Sequence, residues 1–94
     1  MTADEFEAAA LALPGAGLSL QWKNWRLYRV GGKDFAFMSE GAAPTVSFKV
    51  SDVAFAMLIE EEGVRPDRYR ARAHFIQLDA LNVMDEGEIR ARLA

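Results

Sequence analysis

The chain has 94 residues, 51% of them hydrophobic, which is enough for one domain built on one core and leaves no room for a second. It contains no cysteine, so a disulfide framework, a thiolate zinc site, an iron–sulfur cluster and a cysteine nucleophile are all excluded. A net charge of −3 argues against indiscriminate attraction to a polyanion, but the charge is segregated: Gly15 to Lys33 carries +4 and Val64 to His74 carries +3, against −3, −5 and −2 in the other three segments.

The first turn is acidic, and no apolar run approaches the roughly 18 residues of a membrane helix, so a cytoplasmic protein without a membrane partner is expected. Thr2 and Glu5 have the spacing of a capping box and predict a helix start. Phe6, Ala9, Ala10 and Leu13 recur at helical spacing, and Pro14-Gly15 ends the pattern. Leu18, Leu20 and Trp22 alternate with Ser19 and Gln21, which predicts a short extended lead into a sheet.

From Trp25 the pattern becomes strand, turn, strand: Leu27, Tyr28 and Val30, then Gly31-Gly32, then Phe35 to Met38. Two glycines accept the positive φ angles of a tight hairpin turn, so this hairpin is the strongest local signal in the chain. In Thr45 to Val50, the residues Val46, Phe48 and Val50 share a face predicted to be buried, and Thr45, Ser47 and Lys49 share one predicted to be wet. Both tryptophans, Trp22 and Trp25, are expected in the core or at a sheet edge.

Ser51 is positioned to cap a second helix whose Val53/Met57 and Ala54/Leu58 pairs supply a predicted core stripe, with Gly63 as its terminator. Ile76 and Leu78 alternate with Phe75 and Gln77 in a predicted strand. Asp85 with Glu88 makes another capping box and Met84 with Ile89 a hydrophobic staple, so a third helix is expected from about Glu86.

Val64 to His74 is the unusual segment. In extended form it aligns Arg68, Arg70, Arg72 and His74 on one side, but Ile76 and Leu78 share that parity. One unbroken strand would bury three arginines beside two aliphatic residues, so the segment must bend before His74. A helical turn opening at Pro66, with Arg68 beside Arg72, relieves the conflict, and either geometry leaves the arginines at the surface.

Three functional readings are open at this point. The arginines, together with Arg26, Arg29 and Lys33, can form a phosphate-binding face with Tyr69 or a tryptophan available for stacking. Alternatively, Glu60 to Glu62 and the acidic first helix pair with them as an ordinary mixed surface. A protein-interaction or chaperone-like module, taking a peptide or a second copy at a sheet edge, is the third. No enzyme, cofactor or metal site is expected, because these residue types supply neither a nucleophile with its base nor a ligand set. His74, the single histidine, reads as a hydrogen-bonded structural residue.

The order of landmarks resembles the MmcQ/YjbR-like family of small bacterial proteins. The matching residues are Leu13-Pro14-Gly15, Val30-Gly31-Gly32-Lys33 with Phe35-Ala36, Val46-Ser47-Phe48-Lys49, Val64-Arg65-Pro66 and Arg72-Ala73-His74-Phe75. Two features depart from it: Phe75 stands where the family usually has tryptophan, and the chain ends at Ala94 where relatives continue the last helix. The resemblance implies an α+β, two-layer sandwich of the secretion-chaperone-like kind, residues 1–94 forming one domain. An antiparallel sheet would carry helices on one face, in the order helix, three strands, helix, one or two strands, helix. It also implies a DNA-binding protein with β-hairpin wings and no small-molecule cofactor, in which Lys33, Lys49, Arg72 and His74 are the matching candidates. With Arg68 and Arg70 from the arginine segment, these would contact phosphates and position the protein without reading bases.

Overall fold

The computed structural model describes residues 1–20 and 23–94; Gln21 and Trp22, the end of the predicted extended lead, lie outside the described residues. Helix α1 (Ala3–Leu11) opens on the expected capping box: Thr2 Oγ1 accepts from the Glu5 amide at 3.1 Å, and Glu5 Oε1 accepts from the Thr2 amide at 2.8 Å. A cap of this kind contributes about 1 kcal/mol. The helix buries Phe6 and Ala10 and stops at Leu11, leaving Leu13 in the turn beyond it.

Among the described residues there follow β1 (Ala16–Ser19), β2 (Trp25–Val30), β3 (Lys33–Ser39), β4 (Val46–Lys49), α2 (Asp52–Leu58), β5 (Val64–Pro66), a single 3₁₀ turn at Ala71–Ala73, β6 (Phe75–Leu78) and α3 (Glu86–Leu93). The strands form one antiparallel sheet in the order β1-β2-β3-β4-β6-β5. The expected α+β architecture is present, with four strands ahead of α2 where the reading of the residues gave three. The difference is β1, which pairs with β2 from Ala16↔Val30 to Ser19↔Leu27 and so is a strand in its own right. The chain then crosses by way of α2 to the far edge, lays down β5, and returns to place β6 between β5 and β4.

The β2–β3 hairpin turns on Gly31 and Gly32, both with positive φ (58° and 79°), the backbone that matches the twist of the flanking strands. A bulge between Tyr28 and Arg29 shifts the pairing, so that Tyr28 opposes Ala36 and Arg29 opposes Asp34. Phe35 is thereby turned onto the helix side, where it packs against the core, and Asp34 faces the opposite side of the sheet with Arg29.

One side of the sheet carries the core. Tyr28, Ala36, Met38, Val46, Phe48, Ile76 and Leu78 meet Phe6 and Ala10 of α1, Ala54 and Leu58 of α2, and Ile89 and Leu93 of α3 in a single cluster. Burying each large apolar side chain contributes roughly 1.5–3 kcal/mol, which makes this face the main source of stability. Helix α2 is capped by Ser51, which accepts from the Ala54 amide at 3.1 Å, but it touches the core by one narrow stripe. Ala54 and Leu58 are buried, whereas Val53 and Met57, expected inside, are 72% and 66% exposed. Gly63 has φ +82°, as expected of a left-handed position, yet it serves the turn into β5 and not the end of α2, which stops at Leu58. A Cβ there would also come within 2.8 Å of Val83. Met84 and Ile89 are both buried ahead of and within α3, and Asp85 caps that helix through the Gly87 amide at 3.0 Å rather than through Glu88. No helix among the described residues is long and apolar enough to cross a membrane.

Candidate nucleic-acid interface

Strand parity divides the first cationic segment. Arg26 and Arg29 lie three apart on β2, so they leave opposite sides of the sheet. Arg26 goes to the helix side. Its guanidinium donates to both carboxylate oxygens of Glu7, and the Tyr28 hydroxyl donates to Glu7 at 2.8 Å. The bonds from Arg26 hold the Glu7 carboxyl below its usual range against the opposing effect of burial. Tyr28 moves the other way: burial, then its bond to Glu7, pushes the phenol up. Glu40 adds a second, longer contact to Arg26 at 3.5 Å, so this arginine is fully neutralised.

Arg29 goes to the open side, where it meets Asp34 at 2.8 Å and also donates to the Gly32 carbonyl at 3.0 Å. Its pairing with Asp34 is a close approach of two buried atoms without hydrogen-bond alignment between them. The same Asp34 carboxylate receives Arg70 of the second cationic segment at 3.5 Å. The two segments, some 40 residues apart in the chain by their numbers, therefore converge on one carboxylate.

The loop between β5 and β6 brings Arg70 there. Pro66 does not open a helical turn; it ends β5, and the bend comes later, at the 3₁₀ turn Ala71–Ala73 and at His74, whose φ is +63°. Asp67 organises the loop. Its Oδ1 accepts from the amides of Tyr69 and Arg70, each at 3.0 Å, and its Oδ2 lies 2.7 Å from the Ser47 hydroxyl. Ser47, expected on the wet face, is buried because this loop lies over it, and its hydroxyl is satisfied between Asp67 and the Ile76 carbonyl, 2.8 Å away. Arg70 then rests over the Phe37 ring at 4.6 Å and near Phe75 at 6.0 Å, while the two rings stand 5.5 Å apart. Stacked cations of this type contribute about 0.5–2 kcal/mol, so Arg70 is held in place and not merely displayed.

The remaining candidates divide. Lys33 begins β3 opposite Val30, Lys49 ends β4 opposite Phe75, and Arg72 sits in the 3₁₀ turn just before β6, so all three lie at the end of the sheet marked by Asp34. Lys49 shares the parity of Ser47 and thus belongs to the open side. Arg68 is exposed, its guanidinium 5.4 Å from the Tyr69 ring. Lys33, Lys49, Arg68 and Arg72 have no ion-pair partner among the described residues, whereas Arg65 is taken by Asp79 at 2.8 Å at the far edge. His74 stands apart, its ring edge-on to Phe55 of α2 at 5.4 Å, which is a packing contact.

Beside this cationic end the open side holds a groove of about 360 Å³ lined by Trp25, Leu27, Phe37, Asp67, Tyr69 and Arg70. Trp25 is 37% exposed and Tyr69 84% exposed, so two aromatic faces are available to a ligand. Reading the sequence singled out the arginines but missed Asp34, Asp67 and Phe37, which position them. Asp67 is the one acid within Val64–His74, and that isolation was the available signal.

A family model described as YjbR matches residues 11–94. Among solved structures, the fold is similar to that of a Pseudomonas syringae protein at 16% identity, covering 99% of this chain and 93% of the other, with a TM-score of 0.79. It is also similar to a Deinococcus radiodurans protein with the DUF419 domain at 14% identity, covering 98% of this chain and 72% of the other, with a TM-score of 0.86. No curated protein matches the chain.

Proposed function

The chain belongs to the YjbR family over residues 11–94, and from the geometry of its open sheet face we propose that it binds DNA, using that face and the hairpin end beside it. The observation that carries the reading is the meeting of Arg29 and Arg70 at Asp34, with Lys33, Lys49 and Arg72 at the same end of the sheet. Five cations gather there against Asp34, Asp67 and, at the start of α2, Asp52, so the local charge is positive although the whole chain is at −3. Phosphates are the complement of such a surface, and no described helix presents a set of base-reading side chains to it. The protein acts by binding and not as an enzyme, and a DNA partner accords with a cytoplasmic location.

Fluorescence anisotropy with labelled DNA across a salt series tests the reading. Affinity should fall linearly in the logarithm of salt, and replacing Lys33, Lys49, Arg68 and Arg72 by alanine should flatten the slope by about one unit for each phosphate no longer engaged. Absence of binding at low salt and tens of micromolar protein, roughly the middle of the range of non-specific affinities, rejects it.

A second reading, association with a peptide or another copy of the chain, has one observation in its favour. Edge strand β1 reads Ala-Gly-Leu-Ser, without charge or proline, and Leu18, Leu20 and Val30 beside it are 38%, 62% and 39% exposed. Light scattering separates the two: a concentration-dependent dimer abolished by Leu18→Lys supports this one.

A further inference from the structure

Phosphate contacts account for the cations but leave the aromatic groove beside them without a use. We propose that this groove receives an unstacked base, so that the preferred ligand is single-stranded DNA; the inference rests on the DNA-binding reading and specifies its ligand. The floor of the groove is Leu27 and Phe37, its walls are Trp25 and Tyr69, and Arg70 lies across one end with its guanidinium over Phe37. Its volume of about 360 Å³ falls at the lower end of the ~300–1,000 Å³ typical of small-molecule pockets.

Charge complementarity selects the occupant. A ligand that satisfies the whole face must present anionic groups to Arg68, Arg72, Lys33 and Lys49 and, further along the sheet, where Trp25 stands five residues from the Val30↔Lys33 pair (roughly 16 Å), an apolar planar face to Trp25 and Tyr69. A duplex presents the first and hides the second in its stack, so its phosphates would bridge the groove and leave the aromatic faces wet. A single strand presents both together, with bases stacking on aromatic rings and on guanidinium planes. Arg70 serves both surfaces. Its pairing with Asp34 and its position over Phe37 fix the guanidinium before any ligand arrives, so little side-chain freedom is lost on binding.

The test compares three labelled ligands of equal length with the intact protein: oligothymidylate, an abasic strand with the same phosphates, and a duplex. Oligothymidylate should bind about 5- to 150-fold more tightly than the abasic strand, the range expected for stacking of one base. Tyr69→Ala removes an exposed ring, which spares the fold, and should erase most of that advantage while leaving affinity for the abasic strand and the duplex unchanged. In a Trp22→Phe background Trp25 is the only tryptophan, and its fluorescence should be quenched by oligothymidylate and not by the abasic strand. Equal affinity for strands with and without bases overturns the base site while preserving phosphate binding, and failure of all three ligands to bind overturns both. A fourth strand, oligouridylate of the same length, checks the sugar: its binding more tightly than oligothymidylate overturns the assignment to DNA.

Discussion

Arg26 and Arg29 stand three residues apart on one strand, each beside a carboxylate, and they differ in everything that matters for function. On the helix side Arg26 is enclosed by Glu7, Glu40 and the Tyr28 hydroxyl, with side-chain exposures of 25% for both Arg26 and Glu7. That group is neutralised and ties α1 to the sheet. On the open side Arg29 and Arg70 share the single carboxylate of Asp34, and Lys33, Lys49 and Arg72, unpaired among the described residues, lie at the same end of the sheet. The first cluster completes a fold; the second leaves surplus charge next to an aromatic groove. Neither residue type nor local charge density separates the two arginines, because strand parity alone decides which becomes structural.

The two sides of the sheet should differ most in the hydrophobic layers beneath the two clusters. Phe48→Ala, in the fully buried helix-side core, should cost about 3–5 kcal/mol in urea denaturation. Phe37→Ala should cost less, since one side of that ring is covered by a guanidinium and not by close-packed carbon. Equal losses would mean that the open face carries a second core of the same weight.

Glu7→Gln comes next, at about 1–3 kcal/mol, because it removes the charge and one of the two carboxylate oxygens that a half-buried arginine and a buried phenol share. Its pH signature has a definite sign. The folded Glu7 carboxyl titrates below its ordinary value of 4.5, so its contribution is complete above that value and is lost as the pH falls through the lowered folded one. Tyr28, raised in the folded state, keeps its proton where the unfolded phenol, with an ordinary value of 10.0, gives it up, so stability declines above that pH. The variant should flatten the acid limb of a stability profile and leave DNA affinity unchanged.

Asp34→Asn sharpens the contrast, since it should weaken the fold by about 1 kcal/mol and yet tighten DNA binding. Freeing Arg29 and Arg70 from their shared carboxylate should steepen the salt dependence by up to about one unit per additional phosphate engaged. The smallest effect is Lys33→Ala, with stability unchanged within about 0.5 kcal/mol and the salt slope reduced by about one unit. A Lys33→Ala protein that loses stability, or an Asp34→Asn protein that loses affinity, would reverse the assignment of roles.

The parts of this molecule that are legible in the sequence are those determined by neighbours in the chain. Thr2 with Glu5, Ser51 ahead of α2, the Gly31-Gly32 turn and the Ile76/Leu78 alternation each need only a few consecutive residues, and each is where local pattern puts it. The bulge at Tyr28/Arg29 defeats simple alternation, because it moves Phe35 to the helix side and Asp34 to the open side. Ser47 reads as wet because nothing local announces that the Asp67–Arg70 turn will lie over it from 20 residues further along. Val53 and Met57 have helical spacing, but a helix of seven residues uses only one stripe, and Ala54/Leu58 takes it. The arginine segment is recognisable as bent and exposed, whereas its convergence with Arg29 depends on β6 entering between β4 and β5, a property of topology that no short pattern contains.

Amide chemical-shift mapping during titration with oligothymidylate shows which side of the sheet holds the strand. Shifts should concentrate at Leu27, Asp34, Phe37 and Tyr69 to Arg72, with Phe6, Ala54 and Ile89 on the helix side unmoved. Shifts confined to the helices or to the β1 edge, or none at saturating DNA, would contradict binding on the open side.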